Sequence, residues 1–181
     1  IRTGFNNNNV DHCTRMCHAS SVAALMEAIG TGAVTAPVSE VKNADVAIVI
    51  GARPTQNHPV AATFIKNAVK KNNLKLIIMD PRKQDLSDIA EKHLQFKPGT
   101  DVALLNGMLN VIISEGLVDR QYIEKHTEGY NMIVEHVKDF TPEEMEKVCG
   151  ISSDEIKKTA RIFAEAKSAM IFWGMGISQH I

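Results

Sequence analysis

Val46-Ala47-Ile48-Val49-Ile50-Gly51 is a run of five apolar residues stopped by glycine. Such a short run with no polar gap reads as a strand buried on both faces, and that kind of strand belongs to a parallel sheet covered by helices. The residues on either side repeat the theme. A helix is expected from about Pro59 to Lys71, with Ala62, Ile65 and Val69 spaced for one face. Leu76-Ile77-Ile78-Met79 is a second buried strand, stopped by Asp80-Pro81. A short helix over roughly 85–91 precedes a weaker strand, His93-Leu94-Gln95-Phe96. A long apolar helix then runs to about Glu115, with Asp101 placed as its N-cap. Residues 117–166 read as helix throughout. Asp119 caps one segment, Thr141 followed by Pro142 opens another, and Ser152 or Ser153 opens the last. Ala169-Met170-Ile171-Phe172-Trp173 is a third clear apolar strand. Toward the N-terminus, Gly30-Thr31-Gly32 ends a helix begun near Ser20, whose face carries Val22, Leu25, Met26 and Ile29. Residues 1–12 are polar, with Asn6 to Asn9 in a row, and read as loop. Strands separated by helices predict an α/β fold of three layers around a mostly parallel sheet.

The bulk properties exclude several classes. The chain has 181 residues, 44% hydrophobic and 23% charged, which suits one domain with a core of its own. A net charge of −1 leaves no electrostatic footprint for nucleic acid or an anionic membrane. The longest apolar run is roughly half a membrane span, so no direct membrane insertion is expected. Ile1-Arg2-Thr3-Gly4-Phe5 has no apolar signal core. Three cysteines, Cys13, Cys17 and Cys149, match no disulfide scaffold, and a reducing, cytoplasmic setting is expected.

Ligands of open α/β sheets bind beyond the carboxyl ends of the strands. That rule selects residues 51–58, 80–83, 97–101 and 174–179. In the first, Gly51 permits close backbone approach, and Arg53, Gln56, Asn57 and His58 offer hydrogen bonds. In the second, Asp80 suits a ribose and Arg82 a phosphate. In the third, Gly99, Thr100 and Asp101 combine glycine, hydroxyl and carboxylate at a helix start. Asp101 serves either as a plain cap or as an acceptor for the N–H edge of a guanine. The first two segments also read as an ordinary surface loop and a solvated turn. No Gly-x-Gly-x-x-Gly and no Walker A sequence follows any strand, which argues against a standard nicotinamide or nucleoside-triphosphate site.

Cys13 and Cys17 are four residues apart, flanked by His12 and His18. Helical geometry would put both thiols on one face. No second Cys or His pair stands at zinc spacing downstream. A soft thiolate suits a soft metal, and a neighbouring histidine suits proton transfer. An inert buried cysteine beside a surface histidine fits the same residues.

Asn8-Asn9-Val10-Asp11-His12-Cys13-Thr14-Arg15-Met16-Cys17-His18-Ala19-Ser20-Ser21-Val22 resembles the metal-site segment of formate dehydrogenase catalytic subunits, within the molybdopterin oxidoreductases. Residues 51–59, Asp80-Pro81-Arg82-Lys83, Gly99-Thr100-Asp101 and Trp173-Gly174-Met175-Gly176-Ile177-Ser178-Gln179 resemble that family's later segments in the same order. The resemblance implies a Rossmann-like variant of the dinucleotide-binding fold. It implies molybdenum or tungsten held by two pyranopterin guanine dinucleotides (bis-MGD) and by Cys17. His18 would be the catalytic histidine beside it. Nitrate reductases of the same family usually carry Met after the ligand cysteine, so His18 points to formate. Gly51, Arg53, Gln56, Asn57, Asp80, Arg82, Gly99, Thr100 and Asp101 would hold a dinucleotide, with Met175 and Gln179 near the pterin and metal. Arg53 departs from the Asn usual at its place. A [4Fe–4S] cluster would have its ligands outside these residues, and electrons would pass to partner subunits. The chain is accordingly expected to be an internal piece of a larger subunit and inactive alone. Residues 1–181 are expected to form a single cofactor-binding domain: a metal-site segment over 1–18, an α/β body over 19–116, a helical insertion over 117–167 and a returning strand and loop over 168–181. The alternatives are a nitrate reductase or another oxidoreductase of the family, or a nucleotide-binding α/β module without metal chemistry.

Overall fold

The computed structural model describes residues 2–179; residues 1, 180 and 181, at the ends of the expected opening and closing segments, lie outside the described residues. The N-terminal stretch holds three helices, α1 (Arg2–Phe5), α2 (Thr14–Cys17) and α3 (Ala19–Ile29). A 3-10 turn at Val38–Asn43 leads into β1 (Val46–Ile50), followed by the single turn α4 (Pro54–Asn57), then α5 (Pro59–Asn72) and β2 (Lys75–Met79). After a 3-10 turn at Asp85–Ile89 come β3 (Lys92–Leu94) and α6 (Asp101–Ser114). Helices α7 (Arg120–His126), α8 (Tyr130–Val137), α9 (Pro142–Cys149) and α10 (Ser153–Ala164) precede β4 (Ala169–Trp173) and the short α11 (Met175–Ser178).

The sheet order is β3-β2-β1-β4, and every pairing is parallel. β1 is central and all five of its residues are buried. Its pleat sends Val46, Ile48 and Ile50 into one core cluster, with Leu104, Met108 and Val111 of α6 and Ile156 of α10. Ala47 and Val49 enter the other, with Ile65 and Ala68 of α5. Helices α6, α9 and α10 therefore cover one face and α5 the other, giving the three layers. Each fully buried Val, Ile or Leu in these clusters contributes about 1.5–3 kcal/mol by leaving water.

Parallel neighbours need long crossovers. α5 carries the chain from β1 to β2 on one face. α6 to α10 carry it from β3 back to the other side of β1. The connections thus change sides of the sheet between β1 and β4, which makes a topological switch point above Ile50 and Trp173.

Some expected boundaries shift. β3 begins at Lys92 and ends at Leu94, leaving Phe96 buried but beyond the strand. β4 is an edge strand and alternates exposed with half-buried, so Ile171 and Trp173 meet solvent. Thr100, not Asp101, is the N-cap residue of α6, and Asp101 is its first helical residue, 3% exposed. A carboxylate in a first helical turn is favoured by the helix dipole, so the one-residue shift keeps its charge well placed. The apolar stripe expected on α3 forms, yet none of its residues is buried among the described residues. No helix among the described residues is long and apolar enough to cross a membrane.

Candidate functional site

The switch point is closed by glycine. Gly51 ends β1 with φ +56°, a left-handed backbone that disfavours any side chain. A Cβ on Gly51 would lie 2.9 Å from the Gly176 carbonyl carbon, and one on Gly176 would lie 2.8 Å from Gly51 Cα. A Cβ on Gly174 would lie 2.7 Å from the Gly51 carbonyl oxygen. The backbones touch because none of the three has a side chain, and Gly176 N–H donates to that same oxygen at 3.0 Å.

Beside this contact lies a cavity of about 280 Å³. Its walls come from the ends of all four strands: Gly51 after β1, Asp80 and Pro81 after β2, Phe96, Pro98 and Gly99 after β3, and Gly176 after β4. Asp80 Oδ1 accepts from the Arg82 amide at 2.8 Å, which folds the loop after β2 into a tight Asx turn. Its other oxygen accepts from Gln84 Nε2 at 3.3 Å. His93 Nε2 lies 3.1 Å from the Asp80 carbonyl and must carry the proton there. Pro98 and Gly99 (φ +77°) form the turn before α6, closed by Thr100 N–H on the Lys97 carbonyl at 3.2 Å. The Thr100 hydroxyl donates to the same carbonyl at 2.6 Å.

Not every expected residue faces the cavity. The Arg53 Nη2 group sits 3.2 Å from Asp85 Oδ1, which draws the guanidinium toward the turn after β2. Gln56 and Asn57 are exposed on α4, without side-chain partners among the described residues. Arg82 is also exposed. The Thr55 hydroxyl donates to the second Asp85 oxygen at 2.9 Å. The Thr55 hydroxyl first and the Arg53 guanidinium second hold the Asp85 carboxyl below its ordinary value. A depressed carboxyl stabilises the fold above its unfolded pKa and loses that contribution as pH falls through the folded value. Thr55→Val is therefore expected to raise the Asp85 midpoint toward the usual carboxylate range, read by carboxyl-carbon NMR. An unmoved midpoint would contradict the hydrogen-bond assignment.

On the other side of α11 stands the cysteine–histidine pair. Cys17 ends α2 and is half-buried, while His18 follows as the cap of α3 and is exposed. The Cys17 thiol donates to Met175 Sδ at 3.5 Å, and its sulfur lies 3.8 Å from His18 Nε2. Gln179 closes α11, its side chain exposed. Sequence reasoning did not select the residues that hold this arrangement. Trp173 Nε1–H donates to Ser21 Oγ at 3.1 Å, and the Ser21 and Ser178 hydroxyls share a hydrogen bond at 2.5 Å. The Ser20 hydroxyl donates to the Ser178 carbonyl. These bonds join residues more than 150 apart, and no local pattern announces them. Within α11, consecutive residues serve two places: Met175 meets Cys17, and Gly176 backs the cavity.

The family model described as molybdopterin oxidoreductase matches residues 2–181. The chain belongs to this family. It is 42% identical to formate dehydrogenase H of Escherichia coli (strain K12) over 98% of its own length and 25% of that protein's. It is 37% identical to the F420-dependent formate dehydrogenase subunit alpha of Methanocaldococcus jannaschii, over 98% of its own length and 26% of the relative's. The chain thus spans about a quarter of the length of these relatives. Among solved structures, acetylene hydratase from Pelobacter acetylenicus superposes with a TM-score of 0.71 at 29% identity, over 78% of this chain and 21% of that one. One fold therefore serves differently named reactions, so the substrate has to be argued from the site.

The family implies a molybdopterin cofactor. The residues present fit such a group. A side-chain-free backbone cradle lies at Gly51 and Gly176, a carboxylate lines the cavity, and a half-exposed thiol stands across α11. Among the described residues no three His, Cys, Asp or Glu side chains gather to hold an ion by themselves. Cys17 suits a single protein donor to a metal whose remaining ligands come with the cofactor.

Proposed function

We propose that this chain is part of the catalytic subunit of a formate dehydrogenase, and that it holds one guanine dinucleotide of a bis-MGD cofactor at the strand ends. The observation that carries this reading is α11, which sets the Cys17 thiol and the strand-end cavity on two sides of one helical turn. Cys17, as thiolate, ligates molybdenum or tungsten. The cofactor supplies the two-electron redox chemistry when bound. His18, exposed beside Cys17, takes up the proton released as formate becomes carbon dioxide. Asp80 and the Gly99-Thr100-Asp101 turn serve the ribose and guanine, and Arg53, Gln56, Asn57 and Arg82, on the segments after β1 and β2, serve the diphosphate. Met175 and Gln179 belong to the pterin side of α11. A [4Fe–4S] cluster with ligands outside these residues would supply the electron exit toward partner subunits, in the cytoplasm.

Support for formate comes from His18 and from the two formate dehydrogenases described above. The test is turnover by the purified full-length protein. Formate-dependent dye reduction is expected, with nitrate reduction at background. Faster turnover of nitrate than of formate would overturn the substrate, and absence of pterin from the purified protein would overturn the whole reading.

A further inference from the structure

The turn after β2 carries a residue that neither its position nor its neighbours single out in the sequence. Gln84 is 5% exposed, though Lys83 and Asp85 on either side are both exposed. Its Nε2 donates to the Ala52 carbonyl at 2.9 Å and to Asp80 Oδ2 at 3.3 Å. Both partners are acceptors, so the orientation of the amide is dictated by its surroundings. Ala52 follows Gly51, and Gly51 and Asp80 form two of the cavity walls. A single buried side chain therefore ties one wall to the next. Asp85 repeats the tie further along the same loop, taking Thr55 Oγ1 at 2.9 Å and Arg53 Nη2 at 3.2 Å.

We propose that Gln84, seconded by Asp85, is a positioning residue. It fixes the gap between the loops after β1 and β2, and so shapes the cavity for a diphosphate-bearing nucleotide. Gln84 is not among the residues lining the cavity and works through the Ala52 carbonyl and the Asp80 carboxylate. A loop whose backbone carbonyl is held by a buried amide presents one fixed surface, and binding then orders nothing new. The inference rests on the proposed function for the identity of the nucleotide, which there is the guanine dinucleotide of the pterin cofactor.

The discriminating variant is Gln84→Met in the full-length protein, which keeps the length of the side chain and removes the donor. Two quantities are read: pterin bound per subunit after oxidative release, and hydrogen–deuterium exchange over residues 51–57. Cofactor binding about ten-fold weaker is expected, the size of effect found for residues hydrogen-bonded behind a ligand-holding group. Exchange over 51–57 should quicken in parallel. Ile156→Val, a buried change in the opposite layer, should alter neither. Unchanged pterin and unchanged exchange in Gln84→Met, with a loaded parent, would overturn this inference and leave the proposed function standing. Pterin loss in Ile156→Val as large as in Gln84→Met would also overturn it, since the effect would then be one of general stability. A parent protein without pterin would overturn both readings.

Discussion

Cys17→Ala in the full-length protein is expected to abolish formate oxidation and the native spectrum of the bound molybdenum or tungsten. Cys13→Ala is expected to keep both. The two cysteines differ by one helical turn, but the structure treats them differently. Cys17 is half-buried, and its sulfur faces Met175 on α11 at 3.5 Å. Cys13 is exposed, with its own neighbour His12 at 3.8 Å as its side-chain contact. Changing a residue that merely orients a metal ligand typically costs about 10–100-fold in affinity or activity. Loss of the ligand itself is expected to exceed that range. Formate-dependent dye reduction and the spectrum of the bound metal give the two readouts. An active Cys17→Ala enzyme, or a dead Cys13→Ala enzyme, would contradict the assignment.

The sheet was legible because burial on both faces leaves a mark that needs no partner to interpret. Five consecutive apolar residues in β1 divide between the two core clusters by simple alternation. Three of the four helix starts in 117–166 were legible for a similar local reason, while the start of α8 after Gly129 was not. Asp119, Thr141 and Ser152 each accept a hydrogen bond from an amide three residues on, inside the sequence window that was read. Asp101 misled by one place because Thr100 and Asp101 are both polar and both suit a helix start; the backbone, not the pattern, puts the cap at Thr100. The strand-end rule located the cavity, since Gly51, Asp80 and Gly99 all line it. It could not see Gln84, whose two partners lie 32 and 4 residues away and whose burial depends on the folded loop. The serine pair at Ser20 and Ser21 was equally silent, because its meaning comes from Ser178 and Trp173 at the other end of the chain. The apolar stripe of α3 forms as a helix face, yet Met26 and Ile29 remain exposed among the described residues.

Gly176→Val in the full-length protein is expected to lower thermal stability and empty the cavity together, whereas Gly116→Ala, just after α6, should cost modest stability. The two glycines are needed for opposite reasons. Gly116 adopts φ +69° with open space around it and lies away from the cavity, so an alanine there meets only the left-handed penalty, about 1–2 kcal/mol. Gly176 has no such backbone demand, but its Cβ would sit 2.8 Å from both Gly51 Cα and the Gly51 carbonyl oxygen. Those atoms are backbone at the end of the central strand and cannot swing aside as a flexible side chain would. Overpacking of this kind costs about 1–3 kcal/mol per inserted group, and valine adds two methyls beyond the first clash. Relief can come only by pushing α11 away from β1. That movement carries Met175 off the Cys17 sulfur and opens the cavity wall that Gly176 supplies, because the two residues are adjacent in one helical turn. Melting midpoint and bound pterin should therefore fall together in Gly176→Val, and pterin should persist in Gly116→Ala. A Gly176→Val protein that melts lower but stays fully loaded would show that α11 does not couple the thiol side of the site to the strand ends.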